Sequence, residues 1–424
     1  MANSTPVVRP PDSNSLPTAA WIAVAVLWLA AGSNYLTRTM LTTMRGSVLQ
    51  SIPMTDAQFG LLTSGFLWVY ALASPFAGFV ADRYNRRMVI IVSLFAWSAL
   101  TCLTALANNF EQFFVLRVLL GLSQACYIPA AVALIIEYHR GPTRALAAGI
   151  HVTGMVAGSV LGGAAGWLAQ AHSWTYAYLV IGLPNLALGV LLCVLLKDPP
   201  REGAAPDTGG GSPVRMGEAW RVLGTPGIFY AMMACLAVQG AVSWVIIGWM
   251  PTQMMEQFKL GQGAAGFSAL GFLYVSQTVG LLAGGRWTDS WSRVNPRARI
   301  FLPALAILCA APAFWLTGWI HLIGLTILSL SVWGLAMGFL GANLMPIICL
   351  VVDPRYCATA MGVTNACAAI SGGLAVYGVG ALRDAKFGVN LILTFGGFGA
   401  VLCAFLLWLM NNWVKKNGPV PAAT

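Results

Sequence analysis

The stretch GFVADRYNRR runs from Gly78 to Arg87, and a related stretch, GRWTDSWSR, starts at Gly285. In both, a glycine is followed four residues later by aspartate and eight residues later by arginine, and the copies lie 207 residues apart. A second match, at an offset of 217 residues, relates a glycine and a proline of each half: Gly121, Pro129, Gly338 and Pro346. A repeat of roughly 210 residues predicts two copies of one structural unit.

The sequence around these stretches is strongly apolar. Hydrophobic residues make up 58% of the 424 residues and charged residues only 8%, whereas an ordinary soluble domain has about 25% charged residues. Twelve apolar stretches of about twenty residues each are long enough to cross a bilayer as a helix. We therefore predict an all-α membrane protein in which twelve transmembrane helices form two pseudo-symmetric six-helix bundles. The predicted segments are a tail 1–17, a bundle 18–196, a linker 197–225, a bundle 226–414 and a tail 415–424.

The distribution of basic residues predicts the orientation. The net charge is +10, and 17 of the 23 Lys and Arg residues fall in the segments that share a side with the N-terminus. Because positive charge accumulates on the cytoplasmic side, we expect both termini in the cytoplasm and the chain in the inner membrane. The same distribution argues against nucleic acid as a partner, and we expect membrane lipid and a small-molecule substrate instead.

The repeated stretch resembles the signature of the major facilitator superfamily, which has the form G-x-x-x-D-R-x-G-R-R/K between the second and third helices. Asn85 stands in place of the usual glycine. The resemblance implies the major facilitator fold and a conformational latch on the cytoplasmic side, with the glycine allowing close helix approach. The implied latch residues are Gly78, Asp82, Arg83, Arg86, Arg87, Gly285, Asp289 and Arg293.

A narrower resemblance concerns the first half. Asn34 to Arg38 reads NYLTR, and the fourth apolar stretch contains Arg117, Gly121 and Gln124 at a characteristic spacing. Both patterns resemble the anion:cation symporter family and the spinster lipid transporters. Those families usually place an aspartate where Thr37 stands and a glutamate at the position of Gln124, and the resemblance implies that these carboxylates couple transport to protons. This chain lacks both.

The remaining acids offer no replacement. Of thirteen acidic residues, we expect only Glu137 and Glu256 on helices, both near helix ends, and none at mid-membrane. His151 is the only histidine within an apolar stretch and is the coupling candidate because its charge can change near neutral pH. A structural histidine is the alternative.

Two arginines within apolar stretches are the strongest candidates for binding a substrate. A charge in the membrane costs several kcal/mol unless it is paired or hydrated, and no acid lies near Arg38 or Arg117 in the predicted spans. The missing negative charge can belong to a carboxylate, sulfonate or phosphate, which an arginine binds in two-point fashion. The alternative is that both side chains reach the outer interface or bond to backbone carbonyls.

Other polar residues complete the predicted site. Gln124 is expected about 16 Å into its helix, near the midplane, with Arg117 on the same face nearer the outer entrance. The predicted substrate-binding residues are Tyr35, Arg38, Arg117, Gln124, Tyr127, Gln239, Tyr274, Gln277, Asn343 and Asn365. The nine cysteines show no metal or redox spacing, so no metal or other cofactor is expected, and we expect a monomer.

Three functions remain open at this stage. The first is alternating-access transport of a small organic anion without a carboxylate-based proton site. The second is transport of an amphiphile such as a lysolipid, which the spinster resemblance implies. The third is export of drugs or metabolites. A five-glycine stripe begins at Gly154, but Ser159 replaces the proline that drug antiporters carry. An enzyme is not expected, because the spans contain no paired acids, histidine cluster or nucleophile with a base.

Overall fold

A computed structural model describes residues 18–139, 143–198, 227–319, 321–353 and 356–418. Within this part of the chain, twelve helical segments are long and apolar enough to cross a membrane. We number them as spans 1 to 12. Spans 1 to 6 are Thr18–Thr43, Asp56–Arg83, Arg86–Thr104, the helix pair Phe110–Ala125 and Tyr127–Tyr138 that forms span 4, Arg144–Ala171 and Trp174–Leu195. Spans 7 to 12 are Ile228–Phe258, the three segments Gln262–Gly266, Phe267–Gly271 and Phe272–Ser292 that form span 8, Ala298–Trp319, Ile323–Val351, Cys357–Asp384 and Val389–Asn417. This confirms the predicted all-helical fold of twelve spans.

The spans form two bundles, each with its own core. Spans 1 to 6 enclose one large cluster of buried residues, which contains Trp97 and Tyr127. Spans 7 to 12 enclose another, which contains Trp333 and Phe314. The bundles meet mainly where span 2 packs on span 11 and span 5 on span 8. Most of the predicted linker lies outside the described residues, and span 12 continues to Asn417, three residues beyond the predicted boundary.

Two spans are interrupted along their length, span 4 near its middle and span 8 near its first residues. Span 4 breaks at Cys126, where one helix ends and the next begins at Tyr127. Pro129 lies just after the break and has no N–H to donate to the preceding turn. Span 8 contains a single π-helical turn at Phe267–Gly271, a feature that often marks functional positions. Both interruptions lie near the residues that carry the candidate site.

The glycine stripe of span 5 packs against both bundles. At Gly158, an added Cβ would collide with the backbone of Gly32 in span 1, and at Gly166 it would collide with the backbone of Gln262 in span 8. Only residues without a side chain permit helices to approach this closely. Span 5 therefore joins the core of the first bundle to the second bundle.

The two ends of the molecule differ in how the bundles contact each other. We call the end with Thr18 and Asn417 the terminal face and the end with Thr43 the opposite face. At the opposite face, Arg383 of span 11 bonds to Asp56 of the first bundle at 2.9 Å and to Glu256 of its own bundle at 2.7 Å. Arg45 pairs with Asp56 as well. The opposite face is thus closed by an ion cluster that spans both bundles.

A further acid strengthens this closure. The two carboxylate oxygens of Asp384 accept the backbone N–H groups of Asp56 and Ala57, each at 2.9 Å. Asp384 in the second bundle therefore caps the first turn of span 2, where the helix dipole favours negative charge. At the terminal face, by contrast, two ion pairs between described residues each lie within a single bundle: Arg86 with Glu137 and Arg299 with Asp289.

The structure corrects one expectation about the acids. Besides Glu137 and Glu256, five more lie within helices: Asp56, Asp82, Glu111, Asp289 and Asp384. The helices extend further into the connecting segments than the apolar stretches do, because polar residues are tolerated where a helix leaves the hydrocarbon. All seven still lie within about two turns of a helix end, so the described spans hold no carboxylate at mid-membrane.

Candidate substrate-binding site between the two bundles

Arg38 is fixed by a neutral side chain. Its Nε donates to Oε1 of Gln124 at 3.0 Å, and Nε2 of Gln124 donates to the hydroxyl of Thr37 at 2.8 Å. All three side chains are buried, with Arg38 only 7% exposed. Gln124 lies at the middle of span 4, which runs from Phe110 to Tyr138. Span 1 projects its side chains toward its own N-terminus, so Arg38 reaches this mid-membrane level.

Aromatic rings surround the guanidinium of Arg38. Its Cζ lies 4.6 Å from the ring centre of Tyr35, 4.3 Å from that of Tyr70 and 5.5 Å from that of Phe66. Tyr274 of span 8 is close enough to interact electrostatically with Arg38, and its hydroxyl lies beside Ser159 of span 5. Arg38 therefore lies at the interface between the bundles, and its Nη2 has no hydrogen-bond partner within the described structure.

Arg117 lies deeper in the first bundle. It is 1% exposed, and its Nη1 donates to the backbone carbonyl of Thr37 at 3.3 Å. The carbonyl of Leu62 lies 3.5 Å from its Nε, and its Cζ is 5.1 Å from the ring centre of Phe66. Bonding to carbonyls is the alternative that the sequence left open for this residue. Arg117 thus adds positive charge behind Arg38, and its side chain packs in the interior of the first bundle against Phe66.

Neither buried arginine has an acidic partner among the described residues. The ion pairs that the described residues form lie at the two faces, and none of them includes Arg38 or Arg117. Both cations are held by an amide, carbonyls and aromatic rings, which are neutral groups. The site therefore carries positive charge in a low-dielectric environment, where a charge interacts strongly with an opposite charge.

His151 and Tyr127 form a separate buried pair. The hydroxyl of Tyr127 donates to the carbonyl of Leu27 at 2.7 Å and lies 3.0 Å from Nε2 of His151. Because a phenol has one proton to donate, Tyr127 accepts from His151, which assigns the proton of the neutral ring to Nε2. Tyr127 was predicted to bind substrate, but its hydroxyl is already engaged by Leu27 and His151.

The second bundle contributes neutral groups. Nε2 of Gln239 donates to Ser243 at 3.0 Å and contacts Sδ of Met337 at 3.3 Å. Nδ2 of Asn343 donates to the carbonyl of Phe339 at 2.9 Å, while its buried Oδ1 has no partner among the described residues. Of the other predicted residues, Tyr274 and Gln277 are half-buried and Asn365 is exposed.

Three residues near Arg38 were not predicted. Phe66 and Tyr70 lie one turn apart on span 2, and aromatic residues are too frequent in apolar spans to stand out. Asn34 is fully buried, and neither atom of its amide has a partner within the described part. An asparagine four residues before an intramembrane arginine shares its helix face, which is the signal that could have identified it.

The predicted latch residues lie at the terminal face. Arg86 pairs with Glu137, Arg87 donates to the carbonyl of Cys193 at 2.7 Å, and Asn85 bonds to Asp198 at 2.9 Å. The side chain of Asp82 lies outside the described part. These contacts join spans 3, 4 and 6 of one bundle.

Close helix approach was expected at Gly78 and does not occur there. A Cβ at Gly78 would meet no atom within 4 Å. One at Gly285 would make only an ordinary contact, 3.7 Å from Cβ of Ala342. In the second bundle the tight approach falls one residue earlier, at Gly284, against Phe339. The first-bundle glycine faces open space because the bundle contacts lie toward the opposite face.

The fold and the site together define a membrane transporter with two bundles and a polar site between them. Residues 27–376 match the family model of the Major Facilitator Superfamily. The chain belongs to that superfamily, and it is a multi-pass membrane protein.

Similar proteins include transporters of different kinds. The chain is 24% identical to the hexuronate transporter of Bacillus subtilis over 78% of this chain and 80% of that protein. It is 26% identical to an MFS-type efflux pump of Mycolicibacterium smegmatis over 87% and 85% of the two chains. Among solved structures, a bacterial homolog of the human lysosomal transporter spinster, in an inward-facing and unoccupied conformation, superposes with a TM-score of 0.82 at 21% identity, over 97% of this chain and 100% of that one.

Proposed function

We propose that this protein transports a small organic anion by alternating access and that Arg38 binds the anionic group. The observation that carries the proposal is the environment of Arg38, a buried guanidinium at the interface of the bundles with an unpartnered Nη2 and neutral neighbours. A similar protein is a hexuronate transporter, which supports an anionic substrate. The function is transport and not catalysis.

The energetics of the site favour an anion over a neutral ligand. Removing a charge from water costs several kcal/mol, and the amide of Gln124 and the nearby aromatic rings offset only part of this cost. A carboxylate that reaches Nη2 adds a charge-assisted hydrogen bond, which contributes roughly 1.5 to 3 kcal/mol. Arg117 lies behind Arg38 and raises the local positive potential further.

The ion cluster at the opposite face supports alternating access. Arg383, Asp56 and Asp384 connect the two bundles there, while Gly78 at the terminal face meets open space. Rocking of the bundles about the central site would break the first set of contacts and close the terminal face. We propose that both termini are cytoplasmic and that the chain lies in the inner membrane, so this conformation is open to the cytoplasm.

Reporter fusions test this orientation. A phosphatase that folds only in the periplasm, fused after Thr424, is expected to be inactive because 17 of 23 basic residues lie on the terminal side. A cytoplasmic reporter at the same position is expected to be active. The reverse pattern would contradict the proposed topology.

Transport of an amphiphile is the second candidate. A groove of about 340 Å³ between spans 7, 9, 11 and 12 is lined by aliphatic and aromatic residues, including Val242, Ile246, Phe314 and Leu393. Such a groove suits an acyl chain. The fold of the chain is also similar to that of a bacterial spinster homolog. The charge at Arg38 favours the small anion, because the groove is lined by the second bundle and Arg38 belongs to the first.

A thermal-shift experiment on the purified protein tests the proposal. The ligands are small organic carboxylates, each paired with its neutral amide, and a lysolipid. A ligand that binds only the native state at about 100 times its Kd stabilises it by roughly 2.7 kcal/mol. We expect stabilisation by carboxylates and not by amides. Equal shifts from both members of each pair, or a shift with the lysolipid alone, would reject the organic-anion function.

A further inference from the structure

The second bundle carries a groove between spans 11 and 12. Both of these spans pack on span 7, and the space between them, about 340 Å³, is lined by aliphatic and aromatic residues. Leu382 of span 11 and Phe395 of span 12 line it and are exposed. The groove therefore opens to the surroundings of the protein, which along an apolar span are the hydrocarbon chains of the membrane.

Two glycines keep this groove open. A Cβ at Gly378 would meet no atom within 4 Å, and one at Gly396 would only touch the ring of Phe314 at 3.8 Å. The glycine two residues after Gly378 differs, since a Cβ at Gly380 would collide with the backbone of Asp56. Gly380 therefore permits two spans to approach, whereas Gly378 and Gly396 border space that no described residue fills.

The position and length of the groove match one leaflet of a bilayer. Its lining on span 11 runs from Ala375 to Leu382, roughly 10 Å along the helix axis, and span 11 ends two residues later at Asp384. One leaflet contains roughly 15 Å of hydrocarbon. An empty groove at this level would leave its walls without partner atoms. The acyl chains that surround the span are the apolar groups available to fill it.

An unpaired lysine lies just beyond the end of the groove at the opposite face. Four of the residues that line the groove, among them Val379 and Leu393, also line a smaller cleft that contains Arg383. Arg383 is engaged in the ion cluster. Lys386 follows three residues later, is exposed, and pairs with no acid in the described part of the chain. A phosphate at this level would therefore find a cation that no protein carboxylate occupies.

We propose that the groove is a binding site for a phospholipid of the membrane, which places one acyl chain between spans 11 and 12 and its phosphate beside Lys386. The lipid is a resident ligand and not the transported substrate, because the second bundle alone forms the groove and Arg38 lies in the first. The proposal is independent of the organic-anion function. The bound chain packs against Val379, about one turn before Arg383, and so supports span 11 where it closes the opposite face.

Photolabelling in proteoliposomes tests the site. The probe is a phosphatidylglycerol with a diazirine at the middle of one acyl chain, and mass spectrometry identifies the labelled residues. We expect the labels to be concentrated between Ala375 and Leu382 and around Phe395. Lys386→Gln should weaken this labelling roughly fivefold, the effect of one lysine beside an anionic lipid. Lys259→Gln is the matched control, because Lys259 is an exposed lysine of the same face beyond the end of span 7, and it should leave the labelling unchanged.

A variant that fills the groove is the most direct test. Gly378→Leu places a side chain in the open space and should abolish labelling at these positions. The protein should stay folded, because no atom lies within 4 Å of the new Cβ. Gly362→Leu is the control on the same span: its Cβ also meets no atom within 4 Å, and Gly362 does not line the groove. It should be labelled like the wild type.

Each outcome decides one part of the proposal. Equal labelling in Gly378→Leu and Gly362→Leu would overturn the site, because the chain would then contact the protein without entering the groove. Unchanged labelling in Lys386→Gln would overturn the position of the phosphate. Transfer of the probe between leaflets by the wild type, lost in Gly378→Leu, would overturn the resident lipid and assign the groove to transport of an amphiphile. Loss of labelling in Gly378→Leu without any such transfer would support the site.

Discussion

The two bundles share a fold but contribute different chemistry to the centre of the molecule. The first bundle holds two buried cations, Arg38 and Arg117, whereas the second presents neutral groups such as Tyr274 and Asn343. In the proposed function, only the first bundle therefore binds the charge, and the second closes over the body of the substrate. When the two bundles rock against each other, a substrate anion bound by one bundle can move with that bundle. Its contact with the arginine then stays intact during the movement.

The bundles also differ in how they are interrupted. Span 4 breaks at Cys126 next to Gln124, and span 8 widens into a π-turn ending at Gly271, three residues before Tyr274. These two interruptions are not equivalent in the repeat, since span 4 corresponds to span 10 and not to span 8. The two copies of the repeat thus share the same order of spans. Each bundle nevertheless has its own interrupted helix beside the site.

The largest expected effect comes from removing the charge of the first bundle. Arg38→Ala removes the donor that we assign to the substrate's carboxylate, and a charge-assisted hydrogen bond contributes roughly 1.5 to 3 kcal/mol, or about tenfold to over a hundredfold in affinity. Uptake of a radiolabelled carboxylate into proteoliposomes is expected to fall to background.

The control for this variant is Arg144→Ala, since Arg144 is exposed at the start of span 5. It should transport normally. The melting temperature of Arg38→Ala should stay close to that of the wild type, because the variant also relieves an uncompensated buried charge. Full uptake by a well-folded Arg38→Ala protein would assign Arg38 to packing alone.

The second effect concerns the contacts between the bundles. Arg383 holds Asp56 and Glu256 together at the opposite face, and a partly exposed network of this kind contributes on the order of 1 to 3 kcal/mol. Arg383→Ala is expected to shift the protein toward the state that is open at this face. Spin labels on Gln50 and Lys386, which are exposed on different bundles, should then show an added longer distance.

A matched variant shows whether this shift depends on contacts between the bundles. Arg299→Ala removes an ion pair with Asp289 that lies within the second bundle at the terminal face. It should leave the distance distribution at the opposite face unchanged. Equal distributions in Arg383→Ala and the wild type would mean that helix packing alone closes this face.

The third effect tests the neutral environment of Arg38. Gln124→Glu places a carboxylate beside Nε of Arg38, where the wild type has an amide oxygen at 3.0 Å. The new acid would pair with Arg38 and compete with the substrate. We expect binding about tenfold weaker at neutral pH. Binding should recover as the pH falls and the carboxylate gains a proton.

The comparison variant is Gln124→Ala, which removes the anchor without adding charge. It should weaken binding by a few-fold at every pH and show no recovery in acid. If Gln124→Glu bound the anion as tightly as the wild type at neutral pH, Arg38 would not be the group that meets the substrate's charge.

Much of the fold was predictable because membrane proteins obey strong constraints. The lengths of the apolar stretches and the repeat from Gly78 to Gly285 led to the number of spans and the two bundles. Arg38 and Gln124 stood out as candidates because charged and amide groups are rare in such spans. The structure places their side chains 3.0 Å apart, although 86 residues separate them in sequence.

The rest depended on geometry that periodicity does not contain. Phe66 and Tyr70 looked like ordinary apolar positions, since aromatic residues occur throughout the spans. Whether Tyr127 faced a substrate or His151 depended on the rotation of a helix that restarts after a break at Cys126. Under alternating access, the space around Gly78 depends on the conformational state. The sequence is the same in every state and therefore cannot predict a contact that is present in only some of them.

The smallest expected effect concerns His151, the one titratable candidate that the sequence offered for coupling. His151 is 1% exposed, and its Nε2 faces the hydroxyl of Tyr127, which donates to Leu27. Both members of the pair can therefore be neutral and satisfied at once. A second proton on this ring would place a charge in the core of the first bundle, where the described residues include no acid to pair with it. A proton-coupling group must change its charge in each transport cycle, and no described group around His151 compensates such a change.

We therefore expect His151→Ala to transport within about twofold of the wild type, since the residue would contribute only packing and one neutral hydrogen bond. In proteoliposomes, a pH gradient with the membrane potential clamped should not drive accumulation in either protein, whereas an imposed potential should move the anion in both. Accumulation driven by the pH gradient alone, and lost in His151→Ala, would make His151 the coupling site and give the first bundle the roles of binding the charge and moving the proton.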